Sequence, residues 1–473
     1  MMQRMKAWME QAPPERRERL IMALHRFLLF RMRTEAFFSR LRLSRRPRVL
    51  ATACWHFPIY SQTFVYREVS ELTKRKFETR FVYSELTSRN QLPEDFSVLW
   101  KLKRMLLLTD VTSRADLEYY RQRMPEKVNE VAQLIARAAG MTREQVLDNE
   151  HFRHACSFTR MAESWKADYL HSYFFYERTL FALIASYLLG IPRGVSCYAD
   201  HMMQDYPLKL IPLQMQSCDV VVATSARIKQ ELETLAGRAL PHVVVKPNAI
   251  DVRQFPVRER AEGPLQVCRV TTVSRLHPKK GLIYLVEAAA RLKAQGMPVV
   301  MRVLGDTDTG DPESEAYTVA LRNKIAELKL EDVFFLEGRK SGKEVREYLA
   351  NSDVFVAPFI ELPNGDKDGI PTAMLEAMAA GCTVVSTDAG SILEVIRHNE
   401  EGLLVPQRDG EALAEAVGRV MQDNQLRSRL ARAAMVRVEK EFDIRPCESR
   451  FHERLDGVIG KAGPHAAQRV AAV

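Results

Sequence analysis

Apolar and polar positions along the chain change period several times, and each change marks an element. Residues 15–43 follow helical spacing, with Leu20, Ala23, Leu24, Phe27, Phe30, Phe37, Phe38 and Leu41 on apolar positions and Arg19, Arg26, Arg33 and Arg40 seven apart. A short apolar strand is predicted at 48–53, followed by a loop with His56, Pro58 and Ser61 and a helix over 63–74. Residues 81–83 read as a strand, and residues 96–165, rich in Leu, Arg and Glu and poor in Gly and Pro, as a mostly helical insertion. Strands at 168–171, 194–198, 219–223 and 243–246 then alternate with helices at 180–189 and 226–235. The second half repeats the alternation, with strands at 266–273, 299–304, 333–336, 354–358, 383–386 and 403–405 and helices at 282–294, 317–328, 343–349, 371–380 and 411–421. Such βα alternation predicts an α/β fold with parallel sheets and helices on both faces, whose ligands sit at the carboxyl ends of the strands.

The organisation that follows is a basic amphipathic extension at 1–46, a first domain at 47–250, a linker at 251–264, a second domain at 265–440, and a C-terminal helix and tail at 441–473. Pro256, Gly263, Pro264 and mixed charges mark the linker. A chain of 473 residues fits two or three domains. Its 46% hydrophobic and 27% charged composition excludes fibrous and wholly disordered classes. The seven cysteines are scattered without a Cys-x-x-Cys pair, which argues against a disulfide framework or zinc cluster and for a reducing cytoplasm.

Charge is unevenly placed. Residues 1–46 hold 12 Lys and Arg against 4 Glu, a net +8, so the remainder of the +9 chain carries only +1. A basic excess confined to one segment argues against a nucleic-acid-binding body. The segment itself suits an anionic membrane surface, with Trp8 as a further anchor; the other reading is a helix packed on the protein's own body.

Candidate chemistry gathers in two segments. In residues 365–381, Asp368 and Glu376 stand eight apart on either side of a turn into a helix. With Pro371 at the first helical position, the amides near Gly369, Ile370 and Thr372 form a positive helix end suited to a phosphate, and Glu376 suits a ribose diol. In Ser274–Gly281, at the end of a strand, Arg275 offers a planar fork and Lys280 a point charge for a diphosphate leaving group. Gly305, directly after the strand 299–304, joins the same donor-binding set.

This conjunction resembles the retaining family-4 glycosyltransferases, whose GT-B architecture is two facing Rossmann-like domains. The resemblance spans roughly residues 47–445 and includes the two segments above, the Gly390–Glu394 turn, TSARIKQEL at 224–232 and PNAID at 247–251. FPIYSQTFVYREVSEL at 57–72 is similar to bacterial members that build exopolysaccharide or lipopolysaccharide. It implies that Arg275 and Lys280 hold the donor diphosphate, that Glu376 binds the ribose and that Asp368 lies beside the transferred sugar. The chain departs from the family at Asp368, where Glu is usual, at Tyr198, where many members carry His and where Asp200 or His201 could substitute, and at Ala249, where Gly is usual.

The resemblance implies metal-independent, retaining transfer of a hexose from a UDP- or GDP-linked sugar to a polysaccharide or lipid-linked oligosaccharide, with no further cofactor. The alternatives are a non-catalytic nucleotide-sugar-binding partner protein and a nucleotide-sugar epimerase. His56, Ser61, His171, Tyr198 and His201 are candidates for the acceptor side. His151, His154 and Cys156 are close enough to suggest a metal but fall in a helical stretch where packing explains them better.

Overall fold

The computed structural model describes residues 13–41, 46–53, 56–59, 62–74, 77–87, 92, 94–198, 208–255, 263 and 265–459. The candidates Ser61 and His201, and Trp8, lie outside them. The chain forms two compact units, one of residues 1–223, 229–244 and 451–473, the other of residues 224–228 and 245–450.

The first unit contains β1 (Arg48–Thr52), β2 (His56–Phe57), β3 (Glu78–Tyr83), β4 (Glu85–Leu86), β5 (Lys103–Met105), β6 (Tyr169–Tyr173), β7 (Arg193–Cys197) and β8 (Val220–Ala223), with β9 (Val243–Val245) completing its sheet. The sheet order is β5-β3-β1-β6-β7-β8-β9, and β2 pairs with β4 as a separate ribbon. β1 lies parallel to both β3 and β6, so the chain runs outward from β1 to one edge and then returns to the centre. β1, β6, β7 and β8 are buried at every position, as strands covered on both faces must be.

Residues 96–165 form helices Leu99–Leu102, Asp110–Arg123, Pro125–Ala139, Arg143–Asp148 and Glu150–Trp165, but also the edge strand β5. Lys-Arg-Met carries no apolar alternation, so only pairing with Phe81–Tyr83 reveals it as a strand. The leading helix α1 (Pro14–Leu41) buries Ile21, His25, Leu29, Met32 and Ala36. Leu29, Met32 and Ala36 join the core made by the helical insertion. Polar contacts fix it further: His25 Nε2 meets Asp116 at 2.9 Å, and Glu35 bonds Arg80 at 3.0 Å and Arg104 at 2.7 Å.

The second unit contains β10 (Cys268–Val273), β11 (Val299–Leu304), β12 (Phe334–Leu336), β13 (Val354–Ala357), β14 (Thr383–Thr387) and β15 (Gly402–Val405) in the order β12-β11-β10-β13-β14-β15. All its pairings are parallel. The order again reverses beside the first strand, here between β10 and β13, the place where doubly wound sheets open a crevice. Both units are thus Rossmann-like, as the fold class read from the sequence requires. The helix expected at 371–380 runs Thr372–Ala379, with Pro371 as its extended N-cap rather than its first helical residue. Two helices extend the sequence reading, Ile211–Gln216 and Asn424–Glu441, and the C-terminal helix expected within 441–473 runs Ile444–Ile459.

Candidate functional site

The reversal point of the second sheet brings the two chemically suggestive segments together. β10 ends at Val273 and leads through Ser274–His277 into the short 3-10 turn Pro278–Lys280, while β13 ends at Ala357 and leads into the loop before helix Thr372–Ala379. The loops touch through their backbones, with Ile360 N–H donating to Lys279 C=O at 2.9 Å. Gly281 sits at φ +60° in that contact, and a Cβ there would lie 1.8 Å from Pro358 O, so only glycine fits. Gly305, at φ +149°, is held as tightly, since a Cβ would lie 1.8 Å from Ser274 O.

Across this crossing, charges alternate in sign. Lys280 Nζ donates to Asp368 and lies 4.3 Å from the centre of the Phe359 ring. Lys279 Nζ bonds both carboxylate oxygens of Asp366 at 3.1 Å and lies 3.9 Å from Asp368. Burial by itself raises the Asp368 carboxyl, but Lys280 and Lys279 outweigh it and hold the group below the usual carboxylate range. Burial pulls the Lys280 ammonium below its ordinary value, opposed by Asp368 and reinforced by Lys279 and Arg275. Arg275 pairs with Asp308, on the turn after β11. The acidic stretch 306–311, which reads as a solvated turn, thus supplies a partner to a site residue. His277 accepts the Lys279 backbone N–H at Nδ1, 3.3 Å away. Burial, Lys279 and Arg275 all lower its pKa, which keeps it neutral.

Gly369 and Ile370 precede helix Thr372–Ala379, whose N-terminus carries no side-chain cap. Ile370 is buried and its carbonyl accepts from Asn248 Nδ2 at 2.9 Å. Thr372 is the first helical residue, and Glu376 lies half-buried about one turn on. Arg227, which sequence reasoning passed over, donates to Asp368 C=O at 3.3 Å and to Ser391 Oγ at 3.1 Å. Glu394 accepts the backbone N–H groups of Ala226 and Arg227 at 2.7 and 3.0 Å. Lys279 and Asp366 were also missed, although each stands within two residues of a residue singled out.

In the first unit the candidates separate. His56 is exposed on β2, 3.1 Å from Glu85. His171 is fully buried and does not line a crevice: Nδ1 meets Tyr169 OH at 3.1 Å, and Nε2 meets Ser196 Oγ at 2.9 Å and Glu68 at 3.2 Å. Tyr198 is half-buried, donates to Glu68 at 3.1 Å and packs against Phe64 with ring centres 4.4 Å apart and planes 36° apart. His154 and Cys156 belong to helix Glu150–Trp165, where Cys156 is buried and burial lowers the His154 pKa to about 4. They belong to the packing of that helix, and among the described residues no group of three or more His, Cys, Asp or Glu is placed to hold a metal.

Residues 260–437, within the second unit, match the family model for glycosyl transferases group 1. The amylovoran biosynthesis glycosyltransferase AmsK of Erwinia amylovora is 38% identical over 218 residues, 46% of this chain and 51% of that protein. The putative colanic acid biosynthesis glycosyltransferase WcaL of Escherichia coli is 35% identical over 202 residues, 42% of this chain and 48% of that protein. The chain thus spans about half the length of these curated relatives. It is similar in fold to the crystal structure of Anabaena Alr3699/HepE in complex with UDP and glucose, with a TM-score of 0.65, 17% identity and coverage of 87% of this chain and all of that one. Sucrose-phosphate synthase from Thermosynechococcus elongatus aligns with a TM-score of 0.63 at 15% identity, covering 88% of this chain and all of that one. The fold is GT-B.

Proposed function

We propose that the chain is a retaining hexosyltransferase that moves a hexose from a UDP- or GDP-linked sugar to a polysaccharide or lipid-linked oligosaccharide in bacterial cell-surface glycan synthesis. The observation that carries this is the crossing of the loops after β10 and β13, where Lys280, Lys279 and Arg275 gather beside the segment with Asp368 and Glu376. The names of the relatives, amylovoran and colanic acid biosynthesis, support the glycan class.

Lys280 and Arg275 would hold the donor diphosphate, Glu376 the ribose hydroxyls, and Asp368 would stand beside the sugar. The sugar C1–O bond to the diphosphate breaks while a bond from the acceptor oxygen to the same carbon forms on the same face, and the acceptor proton passes to the departing phosphate oxygen. Fixed cations that meet the growing charge on the diphosphate lower the barrier most, together with alignment of the two substrates. Three cationic side chains supply that charge from the protein, so the proposal includes turnover without a metal. It also places the enzyme peripherally on the inner face of the plasma membrane, supported by the basic helix α1; among the described residues no helix is long and apolar enough to cross a membrane.

The test is a thermal-shift panel with UDP, GDP and ADP and their sugars, then nucleotide release in the presence of acceptor and EDTA. The expected result is one nucleotide that raises the melting temperature, a shift lost in Glu376→Ala, and release that needs acceptor and survives EDTA. A shift without release points to a binding partner, product from donor alone to an epimerase, and no shift at all removes the donor site.

A further inference from the structure

Helix α1 has a second apolar face. At about 100° per residue, Ile21, His25, Leu29, Met32 and Ala36 form the side docked on the first unit, and Phe27, Phe30, Phe37, Phe38 and Leu41 lie on the opposite side. The latter five are 59–65% exposed, although the helix is already fixed by its inner face. A row of four aromatic rings and a leucine turned to water on one helix is a contiguous apolar patch of the kind that marks an interaction surface. Arg26, Arg33 and Arg40 run exposed along one flank between the two faces, and Arg31, 3.2 Å from Glu35, stands on the other.

We infer that this outer face inserts its phenylalanines into the interfacial layer of an anionic phospholipid surface while the flanking arginines reach the headgroups. The inference rests on the membrane position proposed above and specifies which face makes it. Charge complementarity selects the occupant: seven Arg against three Glu in residues 14–41 disfavour a second, equally basic copy and favour phosphates. Aromatic side chains flanked by cations match the chemistry of a headgroup layer, where rings sit among acyl carbonyls and each nearby cation adds attraction. Because His25–Asp116, Glu35–Arg80 and Glu35–Arg104 bolt α1 to the first unit, the face is presented folded rather than formed on contact.

Flotation of the full chain with phosphatidylglycerol–phosphatidylcholine vesicles, without donor, reads this independently of transfer. Wild type should float, and Phe30→Ser with Phe37→Ser should weaken binding by about tenfold or more at unchanged melting temperature, since both rings are exposed. Arg26→Gln, Arg33→Gln and Arg40→Gln together should weaken it by a similar factor and flatten its salt dependence. Phe30→Trp should add emission that brominated acyl chains quench beyond the wild-type level. Flotation that survives loss of the phenylalanines would overturn this face while leaving the membrane position standing. Absence of wild-type flotation overturns both, and a concentration-dependent dimer abolished by the same substitutions would assign the face to a second copy.

Discussion

Two crevices with one strand order carry opposite chemistry. In each unit the sheet reverses beside its first strand, between β1 and β6 in one and between β10 and β13 in the other. In the first unit a core cluster of rings lies beside β1 and β3: Phe57 meets Tyr66, Tyr83 and Trp100, and Phe174 stacks on Tyr176 with centres 5.1 Å apart. Phe174 itself sits at φ +66°, a left-handed conformation that bulky residues avoid. Around the second reversal the side chains are lysines, aspartates and an arginine. Topology therefore fixes where a ligand can bind, and the loops alone decide what it is. Cations fit a diphosphate, whereas Phe57, Tyr66, Tyr83 and Phe174 are buried and belong to the packed core of the first unit.

The comparison breaks most sharply at Lys280. Lys280→Ala should reduce donor-dependent nucleotide release by about 100- to 1,000-fold, read as initial rates, with far-UV circular dichroism unchanged. A rate within a few-fold of wild type would take the diphosphate away from the second crevice.

Acid should separate the units next. His154, in the first unit, has its pKa lowered to about 4 by burial. Its neutral form is the one that folding favours, so nothing is lost at pH 7, and stability falls as pH drops from about 6.5 towards 4. By pH 5 the loss should reach about 2 kcal/mol, measured by chemical denaturation and removed in His154→Gln. His277 adds a loss of the same sign in the second unit, which the histidine variant leaves in place. The Asp368 carboxylate, held below its ordinary range by Lys280, keeps its contribution until the pH falls below that of an ordinary aspartate.

Much of this was legible in the chain and some was not. The strands of the second unit stand out because buried parallel strands are rich in Val, Ile and Leu, as in Val299–Leu304, which only Arg302 interrupts and where reading and structure coincide. Arg275 and Lys280 could be picked because they end a strand. Their carboxylate partners could not be assigned, because Asp308 and Asp368 come near only through the fold. His171 misled for the same reason: Glu68 and Ser196, which occupy its Nε2, come from other elements, and only Tyr169, two residues earlier on the same strand, stands near it in sequence. On α1 both faces are apolar, so periodicity could not tell which one packs.

Smaller effects sharpen the contrast. Phe64→Ala removes the ring packed 4.4 Å from Tyr198 and should raise the acceptor KM by about tenfold while leaving the nucleotide Kd unchanged by calorimetry. Equal effects on both constants would erase the division of labour. Smallest of all, Asp308→Asn should free Arg275 from a half-exposed pair and tighten nucleoside diphosphate binding about two- to fivefold, read by the same calorimetry.

Phe451 and Leu455, from the last described helix, pack with Val49, Phe77, Tyr169 and Val222 in the first unit. These side chains are made after the entire second unit. At about 5–20 residues per second, the roughly 230 residues from Val222 to Phe451 occupy a ribosome for some tens of seconds, during which that underside of the first sheet lacks the part of its cover that Phe451 and Leu455 supply. The second unit's sheet is complete once Val405 emerges. The unit that begins the chain is therefore the one that finishes folding last, and a nascent chain stalled before Phe451 would offer its apolar underside to whatever chaperone waits at the tunnel exit.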